Sequence, residues 1–328
     1  MNGTHINAHG GGVLFHDGRW YWFGEHKVAG TLGNTAQVGV RVYSSVDLYT
    51  WRDEGIALAV DDDPASPIAR GSIIERPKVL RDPASGRFVM WFHLELKGQG
   101  YAAAQAGVAV ADHITGPFRF LKASRVNAGN WPVNGTDADK VDTDSHLVRD
   151  MPGGQMARDM TLLVDAQGQA WHVYASEENR TLQAARLTAD LIGHDGQYWR
   201  VLPGGANEAP ALFRARGRYY MITSGLTGWA PNPARSFVAD RIEGPWTYLG
   251  NPVRGDAKAR ATTFGAQSTF VFDVPGTASE PERLIFMADI WRPENPVDGR
   301  YVWLPVEWEG DRPILRWRDE WSLDQVWK

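Results

Sequence analysis

GRWYWFG, residues 18–24, is the phrase on which the fold turns. A glycine and a basic residue lead into alternating bulky side chains, the texture of a buried strand entered from a tight turn. The phrase recurs as GRFVMWFH (86–93), GQAWHVYA (168–175), GRYYMITS (217–224) and, degenerate, ERLIFMAD (282–289). A self-similar β unit repeated along a chain is the mark of a repeat architecture. Radial repetition of sheets is the all-β solution that leaves only short, protected edges. The expected fold class is therefore all-β: a five-bladed β-propeller with four-stranded antiparallel blades around a central channel, one domain over 1–328.

Each phrase is preceded by an apolar run that opens on a polar residue. These runs are HGGGVLF from His9, ERPKVL from Glu75, DMTLLV from Asp159, EAPALF from Glu208 and QSTFVF from Gln267. His9, Asp159 and Glu208 each stand nine residues before the glycine of their phrase. Glu75 stands eleven before Gly86, and Gln267 fifteen before Glu282, across the turn VPGTASEPE. Equivalent positions in a repeat occupy equivalent places in space. Three carboxylates, an amide and an imidazole are thus expected at one mouth of the channel. Downstream, GVRVYSSVDLYTWRDEG (39–55), AGVAVADHITGPFRFLK (106–122) and ARSFVADRIEGPWTYLG (234–250) read as third and fourth strands. RYVWLPVEWEGDRPILRW from Arg300 fills the same slot in the fifth blade.

Composition narrows the function classes. Hydrophobic content of 43% with 22% charged residues is that of a globular protein. A net charge of −5 with mixed signs lacks the basic stripe that nucleic acid demands. No apolar run has the length of a transmembrane helix. The absence of cysteine excludes disulfides and thiol chemistry. Fifteen Trp and ten Tyr suit blade packing first and sugar-stacking platforms second, since a pyranose face packs on a ring as other apolar faces do. One polar segment, about 123–157, breaks the repeat and is expected near the active-site mouth, as long loops in compact domains are often functional.

Read together, NAHGGGVL, ERPKVL, GGQMARDMTLL, ASEEN, NEAPALF, SGLTGWAPNPARS and FGAQSTFVF resemble glycoside hydrolase family 43, and more narrowly its exo-β-1,3-galactanase branch. The resemblance covers essentially the whole chain and implies a five-bladed propeller that hydrolyses glycosides with inversion. It implies Glu208, in the E-A-P turn, as general acid and Asp159 as the residue that modulates it. The family's general base, an Asp on the first inner strand, is absent from NAHGGG. In the galactanase branch Glu75 and Gln267 face the sugar; Gln267, across the sugar from Glu208, is expected either to hold the attacking water or to act through its imidic tautomer, with Glu75, beside Asp159, as the alternative base. His9, Glu25, Glu178, Asn179, Thr227 and Trp229 are the expected substrate contacts. The implied partner is an oligo- or polysaccharide, handled by a monomer without nucleic acid or membrane. No cofactor is required and no metal ligand set is apparent, although a structural Ca2+ is compatible with the channel. No signal-peptide pattern is present, and the resemblance implies an extracellular or periplasmic setting.

The chemistry has its own logic. Glycoside hydrolysis with inversion needs a protonated carboxyl at the leaving oxygen and an opposing group that activates water. A second carboxylate nearby keeps the first protonated by like-charge repulsion. The expected activity is release of galactose from β-1,3-galactan, the arabinogalactan backbone. Within the family an α-L-arabinofuranosidase or β-xylosidase is the alternative. Outside enzymology, an inactive carbohydrate-binding propeller fits the missing base, since a fold alone does not specify activity.

Overall fold

The computed structural model describes residues 3–275 and 282–327; most of the VPGTASEPE turn lies outside them. Two of the repeated phrases start from two-residue turns, Asp17-Gly18 (φ 47° and 76°) and Arg216-Gly217 (φ 52° and 75°). These join His16 to Arg19 and Ala215 to Arg218 across antiparallel ladders. Two consecutive left-handed residues make the hairpin turn whose twist matches that of its strands.

Four sheets each contain four strands in simple meander order. Their innermost strands are His9–His16, Ile73–Arg81, Met160–Val164 and Glu208–Ala215. A fifth sheet, opening on Gln267–Asp273, has three strands. The innermost strands touch in ring order, first to second and onward, with the fifth returning to the first. Phe88–Glu95, a second strand, is buried at every residue because neighbouring sheets cover both its faces. Hydrophobic clusters fill each gap between sheets: Phe23 with Met90, Trp91 with Tyr174, Trp171 with Met221, Tyr220 with Phe286, and Phe272 with Trp22. Most of the tryptophans expected for packing do pack. Among the described residues, no helix is long and apolar enough to cross a membrane.

The chain is thus an all-β propeller built on four-stranded antiparallel blades, but the described residues form six sheets, not five, and the fifth and sixth have three strands each. The difference lies in RYVWLPVEWEGDRPILRW. Arg300–Pro305 completes the fifth sheet, while Glu307–Glu309 and Arg312–Arg316 leave it and join Val253–Arg254 in a small sheet of their own. Pro305 has no N–H to extend a ladder. Packing takes over from there: the Trp308 ring lies edge-on to Tyr220 at 5.0 Å and under the Arg216 guanidinium at 4.1 Å. The hairpin covers the fourth sheet because its aromatic residue finds a partner there.

The 123–157 segment lies on the flank of the third sheet and reaches the rim of the axial cavity, where Arg125, Arg149 and Met156 share a groove with Tyr101 and Arg158, two residues that also line the cavity. It carries two short helices, Asp137–Val141 and His146–Asp150, and runs along the outer strand of the third sheet. Val133 N–H donates to Tyr198 O, and Asn134 bonds the Arg200 backbone in both directions. None of its residues lines the axial cavity. A polar segment satisfies its backbone groups most readily on an open strand edge, which draws it to the flank.

Candidate active site

The four expected catalytic side chains line one cavity of about 240 Å3 at the ring's centre. A local backbone device helps put them there. In four sheets the innermost ladder slips just after the polar residue: between His9 and Gly12, Glu75 and Lys78, Glu208 and Ala211, and Ser268 and Phe270. At three of these bulges the next residue is left-handed: Gly10 (φ 61°), Arg76 (φ 56°) and Ala209 (φ 51°). A bulge bends the strand and re-aims its side chain, here toward the axis. At Gly10 a Cβ would sit 2.1 Å from Glu25 Oε1, so that position demands glycine.

The cross-strand partners of the axial residues complete the site. His9 faces Glu25, Glu75 faces His93, Glu208 faces Ser224 and Gln267 faces Asp289. On Glu75, Oε1 accepts from Tyr101 Oη at 2.8 Å, and Oε2 lies 3.1 Å from His93 Nδ1. His93 Nε2 lies 2.8 Å from Glu95 Oε1. Burial works against charge on His93, but the two flanking carboxylates outweigh it and lift its pKa to about 9. Burial likewise pushes Glu75 up, yet His93 and Tyr101 hold it down, at about 2. Glu75 is therefore an anion at neutral pH. Glu25, 2.5 Å from Lys27 Nζ, is shifted upward by its burial, with Lys27 opposing.

Glu208 behaves differently. Burial first, and the Asp159 charge second, raise it to about 7, against the opposing pull of Arg76 and Asn179. Asn179 Nδ2 donates to Glu208 Oε1 at 2.6 Å. Asn179 ends three consecutive left-handed residues, Glu177, Glu178 and Asn179. That run costs conformational energy and is held by the buried Glu177 carboxylate, which accepts from Thr181, Gln183 and Arg200.

Sequence reasoning missed the residue at the centre. Arg76 crosses the axis from the second sheet. Its Nε and Nη2 donate to the two Asp159 oxygens at 3.0 and 2.9 Å, Nη2 also to Gln267 Oε1 at 2.7 Å, and Nη1 to Ser268 O at 3.2 Å. The signal available was ERPK itself, an arginine next to a residue expected at the axis; alternation along a regular strand would point it away, and the bulge after Glu75 is what turns it inward. His93 and Asp289 were equally readable as the last polar residues of their phrases.

Other expected contacts divide. Glu25, Asn179 and Trp229 line the cavity. His9 does not: it is wholly buried, 3.6 Å from Asp289 and against Tyr301, because its glycine-rich strand lets it sink below the floor. Thr227 holds its own turn, donating to Ala230 O and accepting from Asn232. Glu178 sits outside the cavity, between Arg149 and Arg158. In ring order the fifth sheet neighbours the fourth, while the first and second lie across from it. Asp159 and Gln267 therefore flank Glu208, while Glu25 and Glu75 oppose it. A larger open groove of about 960 Å3, lined by Trp199, Trp246 and Arg241, lies between the third and fourth sheets and holds none of these carboxylates.

Glu75, His93 and Asp159 each offer a ligand atom within 4.8 Å of the others. They do not suit a cation, since His93 is protonated at neutral pH and Asp159 is gripped by a guanidinium. The axis already carries a further cation. Lys78 is buried with its Nζ on Gly10 O (3.0 Å) and Arg76 O (3.4 Å), and burial together with Arg76 lowers its pKa to about 7. Between pH 7 and its ordinary 10.5 the folded chain binds fewer protons here than the unfolded chain, so this lysine's contribution to stability improves as pH rises. Thermal unfolding of Lys78→Met is expected to show its most favourable difference from the parent at pH 6, shrinking by pH 10. A difference independent of pH would refute a strained ammonium.

The model of glycosyl hydrolases family 43 matches residues 15–276. The chain belongs to glycosyl hydrolase family 43. Among solved structures it resembles a family 43 β-1,3-galactosidase bound to galactodeoxynojirimycin, at 47% identity over 97% of this chain and 96% of that one, with a TM-score of 0.92. It also resembles the exo-β-1,3-galactanase of Clostridium thermocellum, at 31% identity and TM-score 0.79, over 96% of this chain and 62% of that one. The Phanerochaete chrysosporium exo-β-1,3-galactanase with β-1,3-galactotriose matches at 28% identity and TM-score 0.76, over 94% and 63%. Among curated protein sequences none matches significantly.

Proposed function

We propose that this family 43 chain is an inverting, exo-acting glycosidase that releases galactose from the end of β-1,3-galactan. The observation that carries the reading is Glu208: a carboxyl raised to about 7 faces a cavity whose opposite wall holds the ionised Glu75. Glu208 gives its proton to the glycosidic oxygen as the bond to the anomeric carbon breaks. A water lying between Gln267, which hydrogen-bonds it, and Glu75 on the opposite wall attacks that carbon on the face away from the leaving oxygen, and its proton passes to Glu75. Galactose leaves with inverted configuration, and solvent returns both carboxyls to their starting states. Asp159 keeps Glu208 protonated. Arg76 closes the axis below, so the cavity takes a chain end rather than a chain passing through. The galactosyl specificity rests on the 47% identical galactosidase and its relatives.

We further read the propeller as five-bladed about its axis, the small sixth sheet being an outer extension, and the chain as one domain acting as a monomer in an extracellular or periplasmic setting. The reaction in this reading uses no cofactor, and Lys78 takes the axial place that a structural Ca2+ would otherwise suit.

The test is hydrolysis of β-1,3-galactobiose followed by proton NMR. Free α-galactose is expected to appear first, before mutarotation. kcat/KM is expected to hold at acid pH and fall as pH rises through about 7, where Glu208 loses its proton. Preference for an aryl arabinofuranoside or xyloside would overturn the substrate. Galactan binding without cleavage would make the chain a binding propeller.

A further inference from the structure

Gln267 is held by groups that leave its amide only one orientation. Its Oε1 accepts from Arg76 Nη2 at 2.7 Å and from Trp291 Nε1 at 2.8 Å. Guanidinium and indole nitrogens are donors only, so the atom facing them must be the acceptor. On the other side, Nε2 donates to Ser224 Oγ at 2.9 Å. Both lone pairs of the oxygen and one amide hydrogen are thereby taken. What remains for the cavity is a single N–H.

Arg76 is itself over-determined. Both Asp159 oxygens receive its fork, its backbone N–H donates to Glu25 Oε1 at 3.0 Å, and its guanidinium lies 5.3 Å from the Trp291 ring centre. The same side chain therefore sets Asp159, which tunes the acid, and Gln267, which meets the water.

We propose that Arg76 is a positioning residue which, with Trp291, locks Gln267 as a hydrogen-bond donor to the reacting water and bars it from accepting that water's proton. The tautomer in which an amide nitrogen becomes basic places a hydrogen on the amide oxygen. Here that oxygen sits between two obligate donors, where an added hydrogen meets only other hydrogens. The inference rests on the reading of the chain as an inverting glycosidase and narrows the role of one residue within it.

Gln267→Glu separates the alternatives. Glutamate is nearly isosteric, still accepts from Arg76 and Trp291, and is a far stronger base than an amide, but it donates nothing when ionised. If Gln267 acts as a donor, kcat on β-1,3-galactobiose is expected to fall about a hundredfold, as when one preorganised donor is removed, with KM changing less. Activity at or above that of the parent would overturn the proposal. Arg76→Lys keeps the charge beside Asp159 but loses the fork, and is expected to lower kcat about a hundredfold while the alkaline limb stays near that of the parent. Trp291→Phe removes one donor to Gln267 without touching a charge, and is expected to cost about tenfold with an unshifted limb. It serves where an Arg76 variant fails to fold. Full activity in both Arg76→Lys and Trp291→Phe would equally overturn the proposal. The parent is measured in the same assay, so an error in the functional reading shows as an inactive parent, and an error in this inference as an active Gln267→Glu.

Discussion

Glu208→Gln is expected to fold, bind galactosides and lose about a thousandfold or more in kcat on unactivated substrates, because only the transferable proton is removed. The amide can keep the Asn179 bond, since its oxygen accepts as the carboxyl does. An aryl galactoside with a good leaving group needs less protonation and should retain more of its rate. The variant also reports on stability. Glu208 has a folded-state pKa raised from 4.5 to about 7, so the folded chain holds its proton more tightly than the unfolded chain in that window. Its favourable contribution is complete below 4.5 and is lost as pH rises through about 7. Glu208→Gln should therefore gain on the parent in thermal unfolding between pH 4 and pH 8. Turnover within a few-fold of the parent on galactobiose would remove Glu208 from the acid's role.

Glu75→Ala should cost as much by a different route. Without an anion on the wall opposite Glu208, the attacking water has no proton acceptor, and kcat is expected to drop by about a hundredfold to ten-thousandfold. Azide, which needs no deprotonation, should restore a large part of that rate and yield the inverted galactosyl azide. Gln267→Ala should lower kcat with little change in KM and gain nothing from azide, since it removes alignment rather than a base. Azide rescue of Gln267→Ala, with none for Glu75→Ala, would exchange the two roles.

How far the site was legible in the sequence depended on whether a residue's place followed from the repeat. Glu75, Asp159, Glu208 and Gln267 stand at one register of a self-similar unit, and a closed ring carries one register to one place. Asn179 and Trp229 came with their motifs and also line the cavity. His9 shares the register but not the outcome, because three glycines after it leave no side chains to hold that strand's polar start at the surface. Thr227 lies in the right loop, yet its hydroxyl is used up by its own turn.

The alternation of bulky residues and the left-handed turn pairs determine local strands and hairpins, because both depend on near neighbours alone, and from these the propeller and its axial carboxylates follow. Contacts between distant segments decided the remainder. Trp308 found Tyr220 and drew the last hairpin off the fifth sheet. The outer edge of the third sheet took the first part of the 123–157 insertion to the flank, while Arg149 and Met156 stand beside the rim residues Tyr101 and Arg158. Ring order put Glu75 on a sheet opposite that of the acid and Gln267 on a neighbouring one. Arg76, beside Glu75 in the chain, bonds to residues 83 and 191 positions away, and it is burial among those partners that turns an ordinary arginine into the centre of the site. Charges and pKa values depend on distance through a low-dielectric interior, and that distance exists only once the ring has closed.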